Sequence, residues 1–235
     1  MYNSEIKFIF DVDGTLTPSR QVIDSDFAIF FTKFCENNDV YLVTGSDYGK
    51  TEEQLGKTIM NAVKVCYNCS GNDVWIQGVN VRTGTWTISK ELRKFLNSWL
   101  QSSRFPIRTA NHIEQRPGCA NFSVVGRNCS IKERAEYILW DKSKRERETI
   151  CYQINTTFSG ITATIGGETG IDIYPTGCDK GQIAYEFNSF DKLYFFGDKT
   201  QPGGNDYALA QLLSFPSVTF AVTDWEHTYK ILKTL

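Results

Sequence analysis

Four short apolar runs lie toward the two ends of the chain, at residues 6–10, 40–43, 193–196 and 218–222. Such runs read as strands buried on both faces, as in a parallel sheet. Between the first two, Phe27, Phe30, Phe31 and Phe34 recur at helical spacing and predict a crossover helix. A strand, a helix and a parallel strand make a right-handed crossover, and the phenylalanine stripe then belongs to the core. The middle of the chain has another rhythm. Ile88, Leu92, Phe95, Leu96 and Trp99 fall on one helical face, with Ser89 and Glu91 suited to its start. Residues 119–125, 161–165 and 171–174 carry β-formers instead, whereas 131–158 return to a helical rhythm through Tyr137, Ile138, Ile150, Ile154 and Phe158. The charged run 142–148 mixes signs and reads as a solvated helix face or connector. Strands and helices without an acid-tipped strand predict an α+β insert at 83–175, bracketed by the two parts of an α/β core, 1–82 and 176–235.

Composition narrows the function classes. A chain of 235 residues with 41% hydrophobic and 14% aromatic residues can build real cores, which argues against disorder. The formal charge of −2 argues against nucleic-acid binding through bulk electrostatics. No stretch approaches the roughly 18–20 apolar residues of a membrane span. Glu5 and Lys7 lead straight into the first strand, so no signal peptide is expected. Seven scattered cysteines suit reduced thiols in a cytoplasm better than a disulfide scaffold. Cys66-Tyr67-Asn68-Cys69 is a lone C-x-x-C. Zinc would need two more clustered ligands, and the only histidines, His112 and His227, are distant in sequence. Packing cysteines near a strand end are expected there.

The chemistry lies where the apolar runs stop. Phe8-Ile9-Phe10 gives way to Asp11-Val12-Asp13-Gly14-Thr15, and Tyr194-Phe195-Phe196 to Gly197-Asp198, followed by Gly203-Gly204-Asn205-Asp206. Ligands of an open α/β sheet sit at the carboxyl ends of its strands. Carboxylates gathered there repel one another unless a cation joins them, and Mg²⁺ shared with a substrate phosphate is the natural candidate. Asp11 and Asp13 suit a division of labour, one attacking phosphorus and the other moving a proton. A D-x-D-G segment also occurs as a helix-capping turn or at the start of a calcium loop. Thr15-Leu16-Thr17 departs from the calcium pattern, and the glutamate at the required spacing is missing. Thr44 and Ser46 end the second strand in hydroxyls able to bond a phosphoryl oxygen. Lys180, after Asp179, could neutralise the phosphoryl group and its nucleophile together. Asp198 and Asp206 would complete the metal shell.

In this order the motifs resemble those of haloacid-dehalogenase-like (HAD) phosphotransferases. The resemblance implies an α/β fold: a Rossmannoid parallel-sheet core with an inserted α+β cap that closes over the site. It also implies aspartyl-phosphate chemistry with Mg²⁺ held by Asp11, Asp13, Asp198 and Asp206. Asp11 would be the nucleophile, Asp13 the general acid/base and Lys180 the third catalytic group, with Thr44 or Ser46 in the second motif. Within that superfamily, Asp11 to Thr17 with Arg20, Gly126-Arg127-Asn128-Cys129-Ser130 with Glu133-Arg134, Ile165-Gly166-Gly167, Asp172, Asp179-Lys180 and the run from Phe195 through Asp206 resemble eukaryotic-type phosphomannomutases. By that similarity Arg116, Arg127 and Arg134 hold the substrate's distal phosphate, Asp172 binds sugar hydroxyls and Arg20 lies near the substrate. The family uses a hexose 1,6-bisphosphate as activator, acts on small sugar phosphates and forms homodimers through its caps. Guanidinium groups suit a phosphate dianion on physical grounds too, because they bind it bidentately.

The chain also departs from that pattern. Gly170, beside Thr169, stands where the family has a serine contributing to the distal phosphate; Gly170→Ser is expected to tighten bisphosphate binding unless glycine is needed for its backbone angles. Gln115, Pro117, Cys119 and Ala120 replace more apolar or bulkier residues, the second motif reads Thr44-Gly45-Ser46, and residues 66–110 match poorly. The leading expectation is a mutase interconverting mannose 6-phosphate and mannose 1-phosphate. A sugar-phosphate phosphatase on the same scaffold differs only in admitting water, and a binding module with a dead site would need a broken nucleophile or metal shell.

Overall fold

The computed structural model describes residues 6–235. From the N-terminal side come β1 (Ile6–Phe10), α1 (Ser25–Asn37), β2 (Asp39–Val43), α2 (Tyr48–Ala62), β3 (Val65–Asn68), β4 (Asp73–Ile76) and β5 (Val79–Thr83). The insert follows as α3 (Lys90–Ser102), β6 (Ile113–Arg116), β7 (Cys119–Phe122), α4 (Ile131–Lys144), α5 (Glu146–Thr157), β8 (Ile161–Gly166) and β9 (Gly170–Pro175). The chain returns through a 3-10 segment, Lys180–Glu186, to β10 (Lys192–Gly197), α6 (Tyr207–Leu212), β11 (Val218–Ala221) and α7 (Trp225–Leu232). Two compact units result. The first combines the described residues up to Thr83 with Cys178–Leu235, and the second is Gly84–Gly177.

The first unit is a seven-stranded sheet in the order β11-β10-β1-β2-β3-β4-β5. Pairing is parallel from β11 to β3 and antiparallel beyond it. The continuous apolar strands have a simple cause: alternate residues enter two different cores. Phe8, Phe10 and Leu42 pack with Phe27, Phe31, Leu55 and Ile59 of α1 and α2. Ile9, Val43 and Phe195 face the other way, against Ile183 and Leu209. Phe10 stacks on Phe196 of the neighbouring strand with ring centroids 4.7 Å apart and meets Phe31 edge-on at 5.1 Å. The helix carrying the phenylalanine stripe starts at Asp24, whose side chain accepts from the backbone N–H groups of Asp26 and Phe27. Cys66 and Cys69 are buried, and all the cysteines are unbridged.

The second unit is a four-stranded antiparallel sheet, β6-β7-β9-β8. Phe122, Ala163, Ile171 and Ile173 turn toward a core shared with Leu92 and Leu96 of α3, Tyr137 of α4, and Ile150 and Ile154 of α5. Strand alternation then places Asn121, Thr164 and Asp172 side by side on the opposite, polar face. The helical rhythm of 131–158 is broken at Arg145, which adopts a left-handed conformation (φ 52°) and separates α4 from α5. The strand expected over 119–125 stops at Phe122; Val124 and Val125 leave the sheet for the helical core.

Candidate active site

In the first unit, β1 ends where its neighbour β10 ends. The Asp11 backbone N–H donates to the carbonyl of Phe196 at 2.9 Å, so Asp11 and Asp198 emerge on adjacent strands. The chain then turns tightly, with Gly14 at φ 85°. A Cβ at Gly14 would lie 2.6 Å from Asp198 Oδ2, so both conformation and space demand glycine. Gly204 serves the other loop: a Cβ there would stand 2.1 Å from the Lys199 carbonyl oxygen, blocking the turn that brings Asp206 back.

Asp11, Asp198 and Asp206 each offer a carboxylate oxygen, all within 4.8 Å of one another. Lys180, fully buried, donates its Nζ to Asp11 Oδ1 at 2.5 Å and to Asp206 Oδ1 at 2.7 Å. Lys199 Nζ reaches Asp198 Oδ2 at 2.5 Å, and Thr15 Oγ1 donates to Asp11 Oδ2 at 3.3 Å. Burial pushes the Asp11 carboxyl up to about 8; Lys180 opposes this, while Asp206 and Asp198 add to it. Burial likewise raises Asp198. Burial alone would depress Lys180, but Asp11 and Asp206 hold it above the ordinary lysine range. The cluster is therefore short of positive charge. Asp198 Oδ1 is moreover buried without a hydrogen-bond partner. A hard, oxygen-seeking divalent cation supplies both the missing charge and the missing partner, so these residues fit Mg²⁺.

The Asp13 carboxylate is not one of the three grouped oxygens. Its Oδ1 accepts from the Arg20 backbone N–H at 2.6 Å and from Gln54 Nε2 at 3.0 Å. Its Oδ2 accepts from Ser46 Oγ at 3.5 Å. These donors hold the carboxylate on the side of α2, away from the other three. Arg20 contributes this contact through its main chain, at φ 60°. Thr44 is buried, and its Oγ1 accepts from the Ser46 N–H at 3.1 Å. Sequence reasoning missed Gln54. It lies in a polar helix, and only the fold reveals that its amide is buried and reaches Asp13 and Thr17.

The second unit gathers its own charged residues around the polar sheet face. Arg116 pairs with Glu114, which also meets Arg127 Nε at 3.2 Å. Arg127 Nη1 donates to Asn121 Oδ1 at 3.3 Å, and Asn121 Nδ2 donates to Asp172 Oδ1 at 2.7 Å. Arg134, from α4, donates to Glu168 Oε2 at 2.7 Å and to Thr169 Oγ1 at 3.3 Å. Burial works against the charge of Arg116, but Asp172 and then Glu114 hold its pKa above the usual range. Gln115 ties the preceding chain to this sheet through the Trp86 carbonyl and the Ile88 N–H. Gly170 has a role the sequence did not suggest. A Cβ there would sit 2.7 Å from Asn121 Nδ2, so a side chain collides with the amide that orients Asp172.

A parallel sheet whose first strand ends in Asp-x-Asp-Gly, joined there by a buried lysine and two later acids, defines a HAD-like phosphotransferase core. Solved structures share the fold. The N-terminally truncated IMP-nucleotidase of Plasmodium falciparum aligns with a TM-score of 0.62 at 14% identity, over 98% of this chain and 69% of that one. The C-terminal domain of C. albicans trehalose-6-phosphate phosphatase gives 0.62 at 15% identity, over 88% and 73%. At the level of sequence, residues 27–235 match the family model of eukaryotic phosphomannomutase. The chain is 33% identical to the phosphomannomutase of Arabidopsis thaliana over 97% of its own length and 95% of the relative's. It is 34% identical to phosphomannomutase 1 of Homo sapiens, over 86% and 81%. The chain belongs to the eukaryotic phosphomannomutase family and is an enzyme of that kind.

Proposed function

We propose that the enzyme interconverts mannose 6-phosphate and mannose 1-phosphate through a phosphoryl group carried on Asp11, primed by a hexose 1,6-bisphosphate. The observation that carries this reading is the Asp11 carboxylate at the end of β1, bonded to Lys180 and grouped with Asp198 and Asp206. An Asp11 oxygen attacks phosphorus, the phosphorus–oxygen bond to the sugar breaks, and the departing oxygen takes a proton from Asp13. In the reverse half, Asp13 removes the proton of a sugar hydroxyl as that oxygen attacks the aspartyl phosphate, freeing Asp11. Gln54, the Arg20 N–H and Ser46 keep Asp13 aimed for both transfers. Lys180 offsets the charge on nucleophile and phosphoryl group, and the Thr44 hydroxyl orients a phosphoryl oxygen. Mg²⁺, held by Asp11, Asp198 and Asp206, would neutralise charge on the transferring group.

Arg116, Arg127 and Arg134 with Thr169 bind the phosphate that is not reacting, and Asp172 binds sugar hydroxyls. The grouping of Arg127, Asn121 and Asp172, the contact of Arg134 with Thr169 just before β9, and the fit of guanidinium to phosphate support that assignment. We further place the enzyme in a reducing cytoplasm, on the strength of its unbridged cysteines, as a homodimer feeding GDP-mannose synthesis. Among the described residues no helix is long and apolar enough to cross a membrane. A phosphoenzyme experiment tests the reaction. After brief mixing with radiolabelled glucose 1,6-bisphosphate and Mg²⁺, the label should map to the peptide containing Asp11. Label on another residue, or none, removes Asp11 as nucleophile.

A further inference from the structure

Three carboxylates share the neighbourhood of the three arginines in the second unit: Glu114, Asp172 and Glu168. Two belong to strands. Glu114 lies in β6 and bridges Arg116 and Arg127, while Asp172 lies in β9 and is held by the Asn121 amide. Glu168 differs from both. It sits in the turn between β8 and β9, next to Gly167 at φ 56°, and its side chain is 43% exposed, whereas that of Arg134 is 13% exposed. Its carboxylate nonetheless lies 2.7 Å from Arg134 Nε, on a guanidinium that also contacts Thr169. Nothing in the phosphoryl-transfer chemistry uses Glu168.

We propose that Glu168 is a displaceable internal anion, a specificity-determining residue that holds Arg134 when no phosphate does. The inference rests on the reading of Arg134 as a phosphate-binding residue. An incoming phosphate dianion and the Glu168 carboxylate need the same guanidinium donors, and two anions packed together repel. Binding therefore turns Glu168 out toward water, which its exposure and its place in a turn permit. With its carboxylate partner exposed to water the ion pair is weakened, so a dianion displaces it readily, while a singly charged group gains little over the carboxylate already there. The same competition helps release. A mutase must let go of the distal phosphate so that the bisphosphate can turn and present its other end. A carboxylate that retakes Arg134 lowers the affinity that would otherwise trap the intermediate.

The test is equilibrium binding of glucose 1,6-bisphosphate with Mg²⁺, measured by calorimetry in the Asp11→Asn background so that no turnover intervenes. Glu168→Gln keeps an acceptor for Arg134 but removes the charge, and it should tighten binding by about two- to fivefold. Glu168→Ala should tighten it as well, because the competing charge is gone. A purely structural ion pair gives the opposite sign, since losing Glu168 would leave Arg134 less well placed and weaken binding. Unchanged or weaker bisphosphate binding in both Glu168 variants overturns the proposal. Arg134→Ala distinguishes the two ways of failing. If it weakens bisphosphate binding while the Glu168 variants do nothing, only the displaceable anion is wrong. If Arg134→Ala also leaves binding unchanged, the phosphate-binding reading itself fails.

Discussion

Asp11 is a buried carboxylate that the fold holds in an environment short of positive charge, and this makes its ionisation a measurable property. Its pKa rises from 3.8 to about 8, chiefly through burial, so the folded metal-free protein binds this proton more tightly than the unfolded chain does. Stability contributed by the protonated form is therefore lost as pH climbs between those two values, and levels off above the higher one. Asn cannot ionise. The melting temperature of metal-free Asp11→Asn relative to the native enzyme should accordingly increase across that interval, and Mg²⁺ should shrink the difference by stabilising the ionised native site. A flat difference would mean that Asp11 is not held neutral by burial. The same variant should lack turnover, because the amide cannot attack phosphorus.

Gly170 gives a second prediction at this scale. Gly170→Ser should weaken rather than tighten hexose-bisphosphate binding and should destabilise the fold by about 1–3 kcal/mol, as overpacking does. Its Cβ meets Asn121 Nδ2, which positions Asp172. Calorimetry and thermal melts on this one variant check both effects. The sequence suggested the missing hydroxyl but not the obstruction, because Asn121 lies in a different strand and comes near only through β7–β9 pairing. Asp11, Lys180, Asp198 and Asp206 were legible for the opposite reason. Each follows an abrupt end to an apolar run or the start of a helical segment, and such ends converge at one edge of a parallel sheet. Gln54 carried no such mark, and neither did the donors from α2 and from the turn at Arg20 that hold the Asp13 carboxylate.

Among elements, those with a doubly buried or one-sided apolar pattern were readable. β1, β2, β10 and β11 arise from the four apolar runs, and α1 from its phenylalanines. Phe31 stands at the centre of that helix's contact with the sheet, fully buried and edge-on to Phe10. Phe31→Ala should cost about 3–5 kcal/mol, and urea unfolding should show it as a lower midpoint with little change in slope. A cost below about 1 kcal/mol, closer to that of an ordinary surface change, would mean that Phe31 contributes little to the core. Elements lacking such patterns escaped. α2 is polar over much of its length and is interrupted at Gly56, where φ is 78°. β5 has no buried residue, so alternation left no trace on it. The division of α4 from α5 depends on one left-handed arginine, Arg145, inside a run of good helix formers.

At the scale of the whole molecule, the fold class was legible because acid-tipped apolar strands occur only in the flanking parts of the chain and an α+β pattern fills the middle. In the function proposed here, the two units divide chemical labour. The first holds the nucleophile, its lysine and a cation-demanding carboxylate cluster. The second holds arginines suited to a phosphate that is not reacting. A hydrolase needs only the first of these, because water can accept the phosphoryl group; a mutase needs both, because the same sugar must be retained and turned. In a mutase the phosphoryl group therefore returns to sugar. The most direct measurement supplies mannose 1-phosphate with a catalytic amount of glucose 1,6-bisphosphate and Mg²⁺ and follows mannose 6-phosphate and free phosphate in the same reaction. Mannose 6-phosphate should form much faster than free phosphate, and Asp11→Asn should abolish both. Free phosphate appearing faster than mannose 6-phosphate at saturating bisphosphate would make the enzyme a phosphatase instead.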